Sequence, residues 1–133
     1  MRKLVLSLCI IVLGAGAVAA KSPLRDVKSV DDAVFDVAVA NEIRKNCPEI
    51  SARMLRALML YRNVKAQARS LGYTEAEIDA YAESDAEKAR LRARGAAYFA
   101  ANGVDPARPQ SYCALGRKEI EKSSRIGSLL KVK

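Results

Sequence analysis

The chain has 133 residues and a formal net charge of +8, with 23 Lys and Arg against 15 Asp and Glu, and neither histidine nor tryptophan. That length accommodates one domain, and the missing histidine removes both the side chain most used for proton transfer near neutral pH and the commonest metal ligand. Catalytic and metal-dependent functions therefore start at a disadvantage, and no cofactor is expected.

Arg2 and Lys3 precede an apolar run, Leu4 to Leu13, and a run of small residues, Gly14 to Ala20, broken only by Val18. This is the tripartite pattern of a secretory signal peptide. Residues 1–20 are expected to be that leader, cut after Ala19 or Ala20, and the protein is expected in the periplasm. The alternative is an uncleaved segment anchoring it to the inner membrane, although the run falls short of the ~20 apolar residues of a comfortable span. Cys9 does not read as a lipidation site, because Leu8 precedes it where a small residue is needed. Without residues 1–20 the charge is +6. Outside the cytosol that excess points to anionic lipid headgroups, cell-wall polymers or an acidic protein surface, or serves only solubility. Nucleic acid is not expected as a partner.

Residues 21–29, with Pro23, read as an extended lead-in, and residues 30–133 as a single helical domain. Ser29 stands three residues before Asp32, a start signal of the capping-box type. Asp31 and Asp32 at the start and Arg44 and Lys45 at the end match the helix dipole. A helix is predicted over 30–45, with a strand over 33–40 as the alternative because β-branched residues are frequent there.

The stretch from Asn46 to Leu71 is read as the central helix of the bundle, pinned at its start by Cys47, with Pro48 in its first turn and Gly72 ending it. Met54, Leu58, Tyr61 and Ala68, flanked by Leu55, Leu60, Val64 and Leu71, recur at spacings of three and four. Arg53, Arg56, Arg62, Lys65 and Arg69 fall mostly on the other side. Met54 and Met59 are read as core filler, the rival being an adaptable client-binding surface.

Thr74 with Glu77 forms a second capping box, opening a short helix over 75–82. Ser84 with Glu87 gives another start signal only ten residues on, so a break is expected near Glu83. In Asp85 to Ala101 the row Ala86, Ala89, Ala93, Ala96, Ala97 and Ala100, with Gly95, is expected to pack closely on a neighbouring helix. Lys88, Arg90, Arg92 and Arg94 form the sharpest basic cluster, a candidate patch for an anionic partner against the default of a solvated face. Val104 to Pro109 is a turn, and Ser111 to Lys122 the last full helix. Ile126, Leu129 and Leu130 are expected to dock on the bundle; the alternative is an apolar, basic tail offered to a partner or membrane.

With Cys9 lost in the leader, Cys47 and Cys113 are an even pair in an exported chain and are read as one disulfide. A redox-active thiol lacks a Cys-x-x-Cys spacing and an activating histidine, and a metal site lacks ligands at useful spacing. Glu75, Glu77, Glu83, Asp85 and Glu87 sit at cap and surface positions. Phosphate-loop and nucleophile-elbow motifs are absent from the sequence, as is any nucleic-acid module.

Through NEIRKNCPEISARM, LGYTEAEIDAYAESDAEKARLRARG and CALGRKEIEKSSRIGSLL the chain resembles a family of small exported bacterial proteins defined only as a domain of unknown function. The resemblance spans Val30 to Leu130 and implies an all-helical fold and no catalytic residue. One bridge in a helical domain is also similar to periplasmic acid-stress chaperones, which are shorter and share no motif here beyond two cysteines. The expectation is an all-α bundle of four to five helices with one disulfide, preceded by a signal peptide. Its function would be that of a non-enzymatic accessory or interaction protein with a protein partner in an envelope or membrane complex. The alternatives are a periplasmic holdase that exposes Met54, Leu58 and Met59 when loosened, and an enzyme of unknown type.

Overall fold

The computed structural model describes residues 20–133; apart from Ala20, the expected leader lies outside them, as does Cys9. The described chain runs from a 3-10 turn at Leu24–Asp26 through α1 (Lys28–Asn46), β1 (Ile50–Ala52), α2 (Met54–Ser70), α3 (Glu75–Glu83) and α4 (Asp85–Ala101). It continues through α5 (Pro109–Glu121), α6 (Arg125–Ser128) and β2 (Leu130–Val132). The helical expectation holds, with six helices among the described residues. The strands form an antiparallel ribbon, Ile50 opposite Val132, Ser51 opposite Lys131 and Ala52 opposite Leu130.

The axis of the fold is α1. It buries Val30, Ala33, Phe35, Val39, Ala40 and Ile43, and also Asp31 and Asp36. Buried positions nearly all round a helix mark an interior element. It packs on the 3-10 turn, β1, α2, α4, α5 and α6. The stretch Asn46 to Leu71 is therefore not the central helix, and it is not one element. Pro48 disfavours the helical conformation at the residue before it, and Cys47 is extended, its N–H still donating to the Ile43 carbonyl at 2.9 Å. Cys47 thus closes α1, β1 follows, and α2 begins only at Met54.

Two further expectations change at the N-terminal side. Ser29 caps nothing: α1 starts at Lys28 on Val27 without a side-chain cap, and the Ser29 hydroxyl accepts from Gln67 Nε2 at 2.9 Å. The lead-in is docked, not merely extended. Leu24 joins Val30, Ala68, Tyr73 and Ile78 in a small satellite core, while Lys21 Nζ donates to the Gly72 carbonyl at 2.7 Å and to Glu77 at 2.8 Å.

The later signals stand. Thr74 and Glu77 make the reciprocal capping box, and Ser84 Oγ accepts from the Glu87 N–H at 3.3 Å and separates α3 from α4; Pro109, expected in the turn, instead opens α5, two residues before the expected start at Ser111. The tail docks: Ile126, Leu129 and Leu130 are buried, and the Arg53 N–H and Nε donate to the Leu129 and Leu130 carbonyls at 2.8 and 2.9 Å. At Gly127 the backbones of α6 and α5 come so close that a Cβ would overlap the Glu119 carbonyl.

Cys47 and Cys113 are bonded, their Cα atoms 5.1 Å apart across a sequence separation of 66. Both are completely buried, in a core that includes Ile43, Ile50 and Leu130. For a loop of that length the chain-entropy model gives ~4 kcal/mol. Cys47→Ser should therefore lower the melting temperature by roughly 10–20 °C, read by thermal unfolding; a loss of a degree or two would mean that the helices hold without the bond. Gly127→Ala should cost about 1–3 kcal/mol through forced separation of α5 and α6, and a denaturant midpoint equal to that of the parent would refute the close approach.

Candidate functional site

Two apolar stripes run along α2. Ala57, Leu60, Val64 and Ala68 turn inward, and of these only Ala68 is fully buried. The other stripe faces water: Met54 is 70% exposed, Leu55 78%, Leu58 44% and Met59 62%. The reading of Met54 and Met59 as core filler is thus overturned. Periodicity shows that a face is apolar; the smaller stripe is the one that fits against α1. Positions i, i+1, i+4 and i+5 bring the four side chains together within two turns. Arg62 follows Leu58 by one turn on this face, whereas Arg53 and Arg56 reach away from it to the Leu130 and Ser128 carbonyls at 2.9 and 3.4 Å; α2 itself carries no acidic residue. Farther along, Lys65 and Arg69 are engaged by α3, Lys65 with Glu75 at 2.6 Å and Arg69 with the same carboxylate.

The basic cluster on α4 divides in two. Arg90 and Arg94 turn inward onto α1: Arg90 pairs with Asp31 and, through Nε at 2.8 Å, with Glu87. Arg94 reaches Asp31 at 3.0 Å and Asp32 at 2.7 Å and lies 3.9 Å over the Phe35 ring. Tyr81 donates to Asp31 at 2.6 Å, and Arg25 pairs with the buried Glu87. Lys88 and Arg92 remain exposed, without an ion pair among the described residues. The four cations therefore do not make one patch. The alanine row is likewise corrected: Ala86, Ala89, Ala93, Ala96, Ala97 and Ala100 are exposed, and α4 buries Glu87, Leu91, Gly95 and Phe99, one residue per turn.

Burial works to raise the Asp31 carboxyl, but hydrogen bonds from Arg90 and Tyr81 and the charges of Arg90 and Arg94 outweigh it and hold the group below 3.8. Asp32 is lowered by bonds from Lys28 and Arg94. Asp36 goes the other way, raised by burial despite its bond from Arg125. Burial, with Glu119 beside it, pushes the Tyr98 hydroxyl to about 12.

Between α1 and α4 lies an open groove of about 590 Å³. Val34, Ala38, Leu91, Gly95, Ala96 and Phe99 supply apolar lining, while Lys45, Lys88 and Arg92 also border it. Its two carboxylates are engaged: Glu87 by Arg25 and Arg90, Glu42 by the Asn46 amide at 3.0 Å. Sequence periodicity missed the groove because its floor depends on a bare glycine in the buried stripe of α4. Among the described residues there is no helix long and apolar enough to cross a membrane, and no group of three or more acidic or cysteine side chains placed to hold a metal ion.

These features define a disulfide-bridged helical domain with an exposed apolar helix face and a separate groove. The sequence model of the family of unknown function DUF5333 matches residues 22–131, and the chain belongs to that family. It matches no curated protein and no solved structure.

The Asp31 and Asp32 contributions to stability are complete above the unfolded value of 3.8 and are lost as pH falls through their lower folded values. Asp36 has the opposite sign and offsets part of the loss. Asp31→Asn should therefore be less stable than the parent at pH 7, with the gap narrowing below pH 3.8. Urea unfolding across pH tests this, and a gap of constant size would dismiss Asp31 as the titrating group.

Proposed function

We propose that the protein is a non-catalytic interaction protein of the bacterial periplasm, docking on a partner protein of an envelope complex through the N-terminal half of α2. The observation that carries the reading is the exposed quartet Met54, Leu55, Leu58 and Met59, with Arg62 one turn beyond Leu58 on the same face. Contiguous apolar surface on a folded domain marks contact sites, and an amphipathic helix presenting anchors at this spacing fits a helix-in-groove mode. The complementary surface is an apolar groove with an acidic rim. A buried disulfide and the leader pattern of residues 1–20 support a setting outside the cytosol.

A second reading, a holdase, is favoured by the two methionines, whose unbranched, polarisable side chains adapt to varied clients. It needs no loosening step, since the face is already exposed.

A photo-crosslinking residue at Leu58 in the native host should give a discrete product that Met54→Asp abolishes. Met54→Asp should change stability by no more than about 0.5 kcal/mol, as exposed positions do. Absence of a discrete product would sink partner docking. Sedimentation with phosphatidylglycerol vesicles would transfer the face to a membrane surface, and suppression of client aggregation to a holdase.

A further inference from the structure

We infer that the groove between α1 and α4 binds a free long-chain fatty acid, its carboxylate at Lys88 and Arg92 and its chain over Gly95 and Phe99. This site is distinct from the α2 face and does not rest on the docking reading.

Gly95 is the pointer to an occupant. Along the buried stripe of α4, Leu91 and Phe99 fill their turns and Gly95 does not. A glycine inside a helix costs about 1 kcal/mol relative to alanine. Neither usual reason for accepting that cost applies, since Gly95 has no positive φ and a Cβ there would meet nothing within 4 Å. What the missing side chain does is keep the groove floor open. Its volume of about 590 Å³ lies within the roughly 300–1,000 Å³ of small-molecule sites.

Charge then selects the ligand and its direction. The contacts of Asp31 with Arg90 and of Phe35 with Tyr98 advance in the same sense along α1 and α4. Lys88 and Arg92 consequently stand at the end of the groove near Tyr81 and Ala82, and Glu42 and Lys45 at the end near Val104, Pro106 and Tyr112. Lys88 and Arg92 are one helical turn apart and without an ion pair among the described residues, and the nearby Glu87 is already neutralised by Arg25 and Arg90. At the opposite end Lys45 is a single cation, also without an ion pair among the described residues, and the Glu42 carboxylate borders the same end. An anionic head is thus favoured beside Lys88 and Arg92, with an unbranched apolar chain running away from it across Gly95, Ala96 and Phe99. A neutral apolar ligand would leave both cations unused, and a polyanion would find too few.

The test uses the disulfide-bonded protein and the fluorescent fatty acid cis-parinaric acid. Binding should be saturable and displaced by palmitate, but not by methyl palmitate. Gly95→Leu should reduce affinity about tenfold or more, equivalent to ~1.4 kcal/mol, without lowering the melting temperature. Lys88→Ser with Arg92→Ser should weaken palmitate binding while leaving the fold intact, and Leu58→Asp should leave binding unchanged. Gly95→Ala serves as the second variant if leucine disturbs packing, and should give a smaller loss of affinity. Failure of the parent protein to bind the probe, insensitivity to both Gly95 variants, or equal displacement by methyl palmitate would each overturn the inference.

Discussion

The bond between Cys47 and Cys113 is the constraint on which the arrangement rests. It joins the end of α1 to the second turn of α5 where the core is driest, beside Ile43, Ile50 and Leu130. All of α2, α3 and α4 lies inside the loop it closes. The chain beyond it, α6 and β2, returns to β1 and ties the loop at its base through the β1–β2 ribbon and the Arg53 bonds. A small domain buries a limited fraction of its surface. Fixing α1 to α5 covalently lets α2 remain on the periphery with a single fully buried side chain, Ala68.

A second, electrostatic tie complements the first. The cysteines join α1 to α5 at one end, while Asp31 and Asp32 join it to α4 near the other, with Tyr81 of α3 and Arg25 of the 3-10 turn in the same network. Buried carboxylates are tolerable only because each is paired. Removing one partner would leave a charge uncompensated, which makes this network a source of geometric specificity more than of net stability. It also sets the width of the groove: the two helices are joined through these side chains and by the Phe35–Tyr98 contact at 5.9 Å, while the glycine turn of α4 stays unfilled.

Most local rules were readable from the sequence, the exception being the Ser29–Asp32 signal, where α1 starts earlier on Val27 and Gln67 takes the Ser29 hydroxyl; long-range ones were not. The Thr74–Glu77 and Ser84–Glu87 caps involve neighbours three residues apart, so their geometry follows from the chain itself. The disulfide needed only a count of cysteines and a compartment. The β1–β2 ribbon could not be read, because its two three-residue strands stand about 80 residues apart and carry no period of their own. Whether Arg90 and Arg94 face water depended on Asp31 and Asp32, some 60 residues upstream. The direction of α2 was the largest miss. Its sequence holds two stripes, and size alone favoured burying Met54 and Leu58. The counter-signal was in α1, whose Val34-Phe35-Asp36-Val37-Ala38-Val39 run lacks a clean polar face, the pattern of an interior helix.

The exposed quartet on α2 forgoes burial that the fold could have used. Four large apolar side chains in water forgo the ~1.5–3 kcal/mol that each would gain on full burial. Folding did not force this: α2 could have turned the same stripe inward at the expense of Ala57, Val64 and Ala68, whose small volumes instead permit its close approach to α1 and the satellite core. Arg62 stands beside the quartet, while the Arg53 and Arg56 side chains are held at the chain end by the Leu130 and Ser128 carbonyls. The exposed face of α2 contrasts with α4. On α4 the apolar stripe is mostly buried, and Lys88 and Arg92 stand beside the open groove. One surface is a convex helix face and the other a concave groove, and the bridged frame holds the two apart.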